Sequence, residues 1–196
     1  MSEDLKFKLA LSMIPDIGGI LARNLVSYVG SVEGVFSESL KALLKIPGIG
    51  EAKARKIKSK DIFKRVEKEL QFIAKYDIQV SFYTDKTFPR RLKSCIDAPV
   101  LVYSKGKINL DEVRTISIVG TRNATDYGKR MVDELIAGFA ERNYQILVVS
   151  GLAYGIDIHA HKSALKNNIQ TVGVVAHGLD LLYPSLHKET AKSMLN

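Results

Sequence analysis

The sequence predicts an α/β chain of two parts. Residues 1–75 form a small all-helical domain built on a paired helix-hairpin-helix, and residues 76–196 a Rossmann-like domain with a parallel sheet. Two observations predict this. The first 75 residues carry helical patterns and an internal repeat but no strand-like run, whereas the last third alternates short β-branched runs with amphipathic stretches. Strand, helix, strand, helix, strand in that order implies parallel strands joined by helical crossovers.

The repeat is the clearest element of the first part. Leu11–Leu25 reads LSMIPDIGGILARNL and Leu43–Ile57 reads LLKIPGIGEAKARKI, in register when Pro15 is aligned with Pro47. Each copy has apolar residues, Ile-Pro, a Gly-containing turn, and then a helix. Proline fixes φ at the turn and stops the first helix. Gly48 and Gly50 permit the backbone of a tight turn. The second helix then starts with unpaired N–H groups able to take a phosphate. Lys53, Arg55, Lys56, Lys58 and Lys60 follow, five cations in eight residues, which suits a polyanion. A Pro-Gly corner before a solvated Lys-rich helix face is equally the pattern of a purely structural hairpin. The first copy also departs from the second, with Asp16 in the place of Gly48, and a carboxylate repels a phosphate.

The connector 76–113 holds two strand-like runs, Val80–Tyr83 and Val100–Tyr103, with Pro89 and Pro99 marking turns or strand starts. Thr115–Val119 is then a β run ending at Gly120. Gly128–Arg142 is an amphipathic helix with Met131, Val132, Leu135, Ile136, Phe139 and Ala140 on one face. Ile146–Val149 is the next run and ends at Ser150-Gly151. A helix over about 157–167 precedes the last run, Thr171–Ala176, which ends at His177-Gly178.

Ligands of open parallel sheets bind at the carboxyl ends of the strands. Those ends are small and polar here: Gly120-Thr121-Arg122, Ser150-Gly151-Leu152-Ala153-Tyr154-Gly155, and His177-Gly178-Leu179-Asp180. Glycines let backbone N–H groups approach a ligand, and Arg122 adds a bidentate grip on phosphate oxygens. An anion pocket is expected. The turn GTRNATDYG lacks the G-x-G-x-x-G of dinucleotide sites, and no Walker lysine motif occurs, so no nucleotide cofactor is expected. His159 and His161 point apart on a helix and cannot share a metal; Ser150 lacks a His and acid partner, so no catalytic residue is expected. Asp157 is read as a helix N-cap, and His177 and His187 as turn or surface residues.

Composition agrees with an anionic partner. Of 196 residues, 29 are Lys or Arg and 21 Asp or Glu, a net charge of +8. Apolar residues at 46% suffice for a packed core. The single Cys95 excludes an intramolecular disulfide, and a cytoplasmic location is expected. No run reaches the roughly 18 apolar residues of a membrane span.

Three strings together carry a family resemblance. SIVGTRNATDYG, VVSGLAYGIDIHAHKSAL and VVAHGLDLLYPSLH resemble, in order, three signatures of the DprA/Smf family, and FPRRLKSCIDAPVLVYSKG resembles its lead-in. With the paired hairpins in front, a SAM-like module, the likeness covers almost the whole chain. It implies a cytoplasmic protein that binds single-stranded DNA, protects incoming strands in natural transformation, forms a homodimer and helps load the RecA recombinase. Carried over by position, the DNA site is Gly120, Thr121, Arg122, Ser150, Gly151 and Gly155, with Lys129 at the helix start; Gly48, Gly50 and Lys53 join from the hairpin. Tyr154 stands where the signature commonly has Arg, which exchanges a cation for a ring able to stack on a base or to pack on the neighbouring turn. The family's sheet continues past its Y-P element, so the resemblance implies an incomplete sheet here, a fragment or short form with a weaker grip on DNA. Two other readings stay open: a nucleotide-processing enzyme related to phosphoribohydrolases, whose G-G-x-G-T-x-x-E loop does not occur in the 196 residues, and a protein-interaction module.

Overall fold

A computed structural model describes residues 3–107, 109–112 and 114–195. The chain folds as two compact units, Met1–Lys105 and Gly106–Asn196.

The first unit begins with six helices: α1 Glu3–Ser12, α2 Gly19–Val29, α3 Val32–Ser37, α4 Leu40–Leu43, α5 Glu51–Lys58 and α6 Asp61–Tyr76. The sequence repeat is a packing repeat. Leu11 and Leu43, Ile14 and Ile46, Ile17 and Ile49, Ala22 and Ala54, and Leu25 and Ile57 hold matching places in the two hairpins, and all ten are buried. Ser31 and Ser39 cap α3 and α4 by accepting from the amides of Gly34 and Ala42.

Two strands follow, β1 Gln79–Phe82 and β2 Leu101–Ser104, with α7 Arg90–Lys93 between them. They pair antiparallel, Val80 opposite Tyr103 and Phe82 opposite Leu101. Phe82, Val100 and Leu101 enter the same buried cluster as Leu9, Leu25 and Leu43. The expected domain boundary at 75–76 therefore differs from the boundary of the compact units, which falls after Lys105. A two-stranded ribbon cannot bury its apolar face alone, and this one buries it on the helices.

The second unit contains β3 Thr115–Ser117, α8 Asp126–Glu141, β4 Leu147–Ser150, α9 Ile156–Lys166 and β5 Gln170–Gly173, then a 3-10 turn Ser185–His187 and α10 Lys188–Ser193. The sheet order is β3-β4-β5 and both pairings are parallel. Helices α8 and α9 pack against each other, and both meet one cluster of Ile118, Val132, Ile136, Val148, Ala160 and Ala164. Among the described residues β3 and β5 are the sheet edges. The helical domain followed by a parallel α/β domain is the predicted fold class. β5 ends at Gly173, three residues before the expected Ala176, so His177 stands clear of the strand end.

Candidate nucleic-acid interface

The turn after β3 and the start of α8 meet Ile156, which follows β4. A Cβ on Gly120 would lie 2.7 Å from the Ile156 side chain, and one on Gly128 would lie 3.3 Å from it. Gly155 takes φ +80° and ψ −124° as the N-cap of α9. A Cβ there would come within 2.1 Å of the Thr121 carbonyl oxygen and 2.6 Å of the Arg122 backbone. The Ile156 amide donates to the same Thr121 oxygen at 3.1 Å. These glycines serve close packing of one turn on another.

Their amides are not waiting for a phosphate. Asp157 is buried, and its carboxylate accepts from the Gly120 amide at 3.4 Å and from the Gly151 amide at 3.2 Å. A carboxylate thus fills the place an anion would take and pins the β3 and β4 turns together. This corrects the reading of Asp157 as an N-cap, a position Gly155 holds, and gives the Gly120 and Gly151 amides, expected to face a phosphate, a partner inside the chain. Ser150 is corrected as well: its buried hydroxyl donates to the Ile118 carbonyl at 2.7 Å and ties β4 to β3. Thr121 Oγ1 accepts from the Asn123 amide at 3.1 Å, a local turn bond.

What this framework presents outward is Arg122. It is exposed and has no hydrogen-bond or ion-pair partner among the described residues. Lys129 pairs with Asp126 across one helical turn at 3.3 Å, an exposed pair that holds it only weakly. Tyr154 is half exposed and meets His187 edge to face, ring centroids 5.1 Å apart, so the packing alternative describes one of its sides.

The histidines are structural. His187, expected at a turn or the surface, lies in the turn Ser185–His187 and is buried, with Nδ1 2.7 Å from the Leu152 carbonyl, to which it donates. His161 is buried in α9 with Nδ1 2.7 Å from Thr171 Oγ1. Thr171 spends its own proton on the Val148 carbonyl, so Nδ1 of the ring is the donor. Burial pushes its pKa down to about 4, against the pull of Asp157. His159 turns the other way, with Nε2 3.0 Å from Asp133. Among the described residues no His, Cys, Asp and Glu group could hold a metal.

The hairpin candidates belong to the other unit. Gly48 has φ +83°, as its turn requires, but Gly50 is extended, so the expectation of special backbone at both glycines holds for one. Asp16 takes the matching position at φ +66°, which Asp tolerates better than most residues. Its carboxylate pairs with Lys56, a bond that holds its pKa below the usual carboxylate range. Lys53 donates to the Gly48 carbonyl at 3.0 Å, Lys58 to the Phe36 and Glu38 carbonyls, and Arg55 pairs with Glu51. Four of the five cations read as a polyanion surface thus have partners inside the chain; Lys60 has none among the described residues. At the first hairpin a Cβ on Gly19 would lie 2.4 Å from the Ala98 carbonyl, so a connector strand of chain covers the start of α2.

Comparison with known proteins agrees with this geometry. A family model described as DNA recombination-mediator protein A matches residues 79–196. The chain belongs to the DprA/Smf family. A second model, a SAM-like helix-hairpin-helix tandem, matches residues 7–60. Protein Smf of Synechocystis is 30% identical over 188 residues, which is 92% of this chain and 46% of that protein. The X-ray structure of DNA processing protein A (DprA) from Streptococcus pneumoniae superposes with a TM-score of 0.67 at 27% identity, over 100% of this chain and 65% of that one. DNA processing protein A from Helicobacter pylori, described for a single-stranded DNA binding mode, gives 0.51 at 28% identity over 60% of this chain and 52% of its own. The chain thus spans less than half the length of curated DprA/Smf relatives such as the Synechocystis protein. No described helix is long and apolar enough to cross a membrane.

Proposed function

We propose that the second unit holds single-stranded DNA across the carboxyl ends of its strands, by phosphate contacts centred on Arg122, without cutting it. The observation that carries this reading is an unpaired, exposed guanidinium on a turn locked by Gly155 and Asp157. A bidentate donor on a rigid turn binds phosphate with little ordering cost. The single-stranded DNA binding of the Helicobacter pylori relative supports the choice of polymer. Holding, as opposed to catalysis, is supported by the internal engagement of Ser150 and His161, which present no nucleophile or base to a ligand. In the full-length family member this grip would protect incoming strands in natural transformation and offer them to RecA from a homodimer. The helical unit enters as support or as a protein-contact surface, because Lys53, Arg55, Lys56 and Lys58 of its second hairpin are tied internally and the start of α2 is covered.

The test is fluorescence anisotropy of the chain with labelled oligo-dT and with the matching duplex across a salt series. Tighter binding to the single strand that fades with salt is the expected outcome. Equal affinity for duplex, or no binding at low salt, would remove the reading.

A further inference from the structure

The second unit has four tyrosines, and their placement is uneven. Tyr144 follows α8 at the amino end of the sheet and is engaged: it packs on Phe139, with Arg114 over its ring at 5.3 Å. The other three stand at the carboxyl end, one after each strand. Tyr127 is 65% exposed, Tyr154 43% and Tyr183 72%. Tyr127 and Tyr183 have no ring contact among the described residues, and Tyr154 offers only one side to His187.

The turns that carry these three tyrosines are linked to the turn that carries Arg122. Gly155, next to Tyr154, lies against the Arg122 backbone, and Gly128, next to Tyr127, lies against Ile156, which also touches Gly120. On the other side His187 touches Tyr154, and its amide donates to Pro184, the residue after Tyr183. The turns that carry Tyr127, Arg122 and Tyr154 are thus packed on one another, and Tyr154 is linked through His187 to the turn that carries Tyr183. Three exposed rings on linked turns beside an exposed guanidinium offer flat faces that a nucleic-acid base can cover on binding.

We propose that these tyrosines form a stacking row for the bases of the strand whose phosphate Arg122 holds; the inference rests on the single-strand reading above. Every base has a π-face, so such a row is tolerant of sequence. In a duplex those faces are already stacked on one another, so the row, more than the phosphate contact, selects the single strand. The tyrosine at 154 would then repay in stacking the cation its position lacks.

The test compares oligo-dT with an oligonucleotide of equal length made of abasic units, which keeps the phosphates and removes the rings. The expected result is a roughly tenfold or larger loss of affinity for the abasic strand with an unchanged salt slope. Tyr127→Leu, Tyr154→Leu and Tyr183→Leu should each weaken oligo-dT binding by about tenfold. They should leave abasic binding as it was, while the Phe variants retain affinity. Tyr28→Leu, an exposed tyrosine of the other unit, should change neither. Since the chain has no Trp, quenching of its tyrosine emission by oligo-dT reads the same event directly. Equal affinity for the normal and abasic strands would overturn the stacking row and leave the phosphate grip standing. Binding of neither strand would overturn both.

Discussion

The second hairpin and the turn that opens α9 carry the same outward signs: glycines before a helix, with cations nearby. They end in opposite electrostatic states. In the hairpin the cations are spent at home, Lys53 on the Gly48 carbonyl, Lys56 on Asp16 and Lys58 on the end of α3. Around the start of α9 one amide of the β3 turn and one of the β4 turn are spent on Asp157, and the guanidinium of Arg122, on the β3 turn, is left over. A phosphate-ready turn is thus defined by the donor that remains unpaired after folding and not by the number of glycines that precede a helix.

The largest difference between the two turns should be their tolerance of a methyl group. Gly155→Ala combines a positive φ, at a ψ that only glycine adopts easily, with a Cβ that cannot clear the Thr121 carbonyl. A loss of about 3 kcal/mol or more in the second unit is expected. Gly50→Ala meets open space at an extended φ and should cost only a few tenths of a kcal/mol, the size of an N-cap change. Hydrogen exchange resolves the two units: Gly155→Ala should strip protection from Val148 and Ile136 while Leu25 and Leu43 keep theirs. Equal loss in both units would show that they do not fold separately.

Acid should separate the units next. All four histidines lie between residues 159 and 187, in the second unit. His161 has a folded pKa of about 4, below its unfolded value of 6.5. Between those values the unfolded chain binds the extra proton, so stability rises with pH, is complete above 6.5 and is lost as pH falls toward 4. The loss amounts to at most about 3 kcal/mol. His161→Gln should flatten the pH dependence of the second unit over that window. An unchanged slope in the variant would assign the acid sensitivity to other groups.

The sequence disclosed the elements better than their partners. The repeat located both hairpins because burial imposes the same apolar spacing on each copy, and β-branched runs located β3, β4 and β5. The sequence bracketed the boundary only to about 75–110, since a short amphipathic ribbon does not encode which core receives it, and β1 and β2 lie on the helices. At the site, the three glycine turns follow β3, β4 and β5 as expected from the runs, but the partners their amides take inside the chain were not legible. Asp157 is 37 residues from Gly120, and Asp16 is 40 from Lys56. Pairing across such distances depends on where folding carries a side chain, which periodicity and spacing do not specify. Tyr183 and Tyr127 were visible only as motif letters; their exposure needed the structure.

Arg122→Ala should act on binding alone. The residue is exposed and unpaired, so its loss should leave stability within about 0.5 kcal/mol. Affinity for oligo-dT should fall about tenfold, and the slope of log affinity against log salt should drop by about one, the signature of a lost phosphate contact. A full salt slope in the variant would mean that the strand is anchored elsewhere.

The smallest effect belongs to Lys56→Ala, and it sharpens the comparison most. If the second hairpin gripped the backbone, removing this lysine would remove a phosphate contact and lower the salt slope as Arg122→Ala does. The structure ties Lys56 to Asp16, an exposed pair screened by salt. The variant frees that carboxylate and lifts its depressed pKa toward the ordinary range. The expected outcome is an unchanged salt slope and little change in affinity for the single strand. Asp16→Asn is the complementary variant, since it releases the lysine. A gain in affinity there, with a steeper salt slope, would show that the hairpin is a DNA surface held silent by its own ion pair. No gain would confine DNA binding to the second unit.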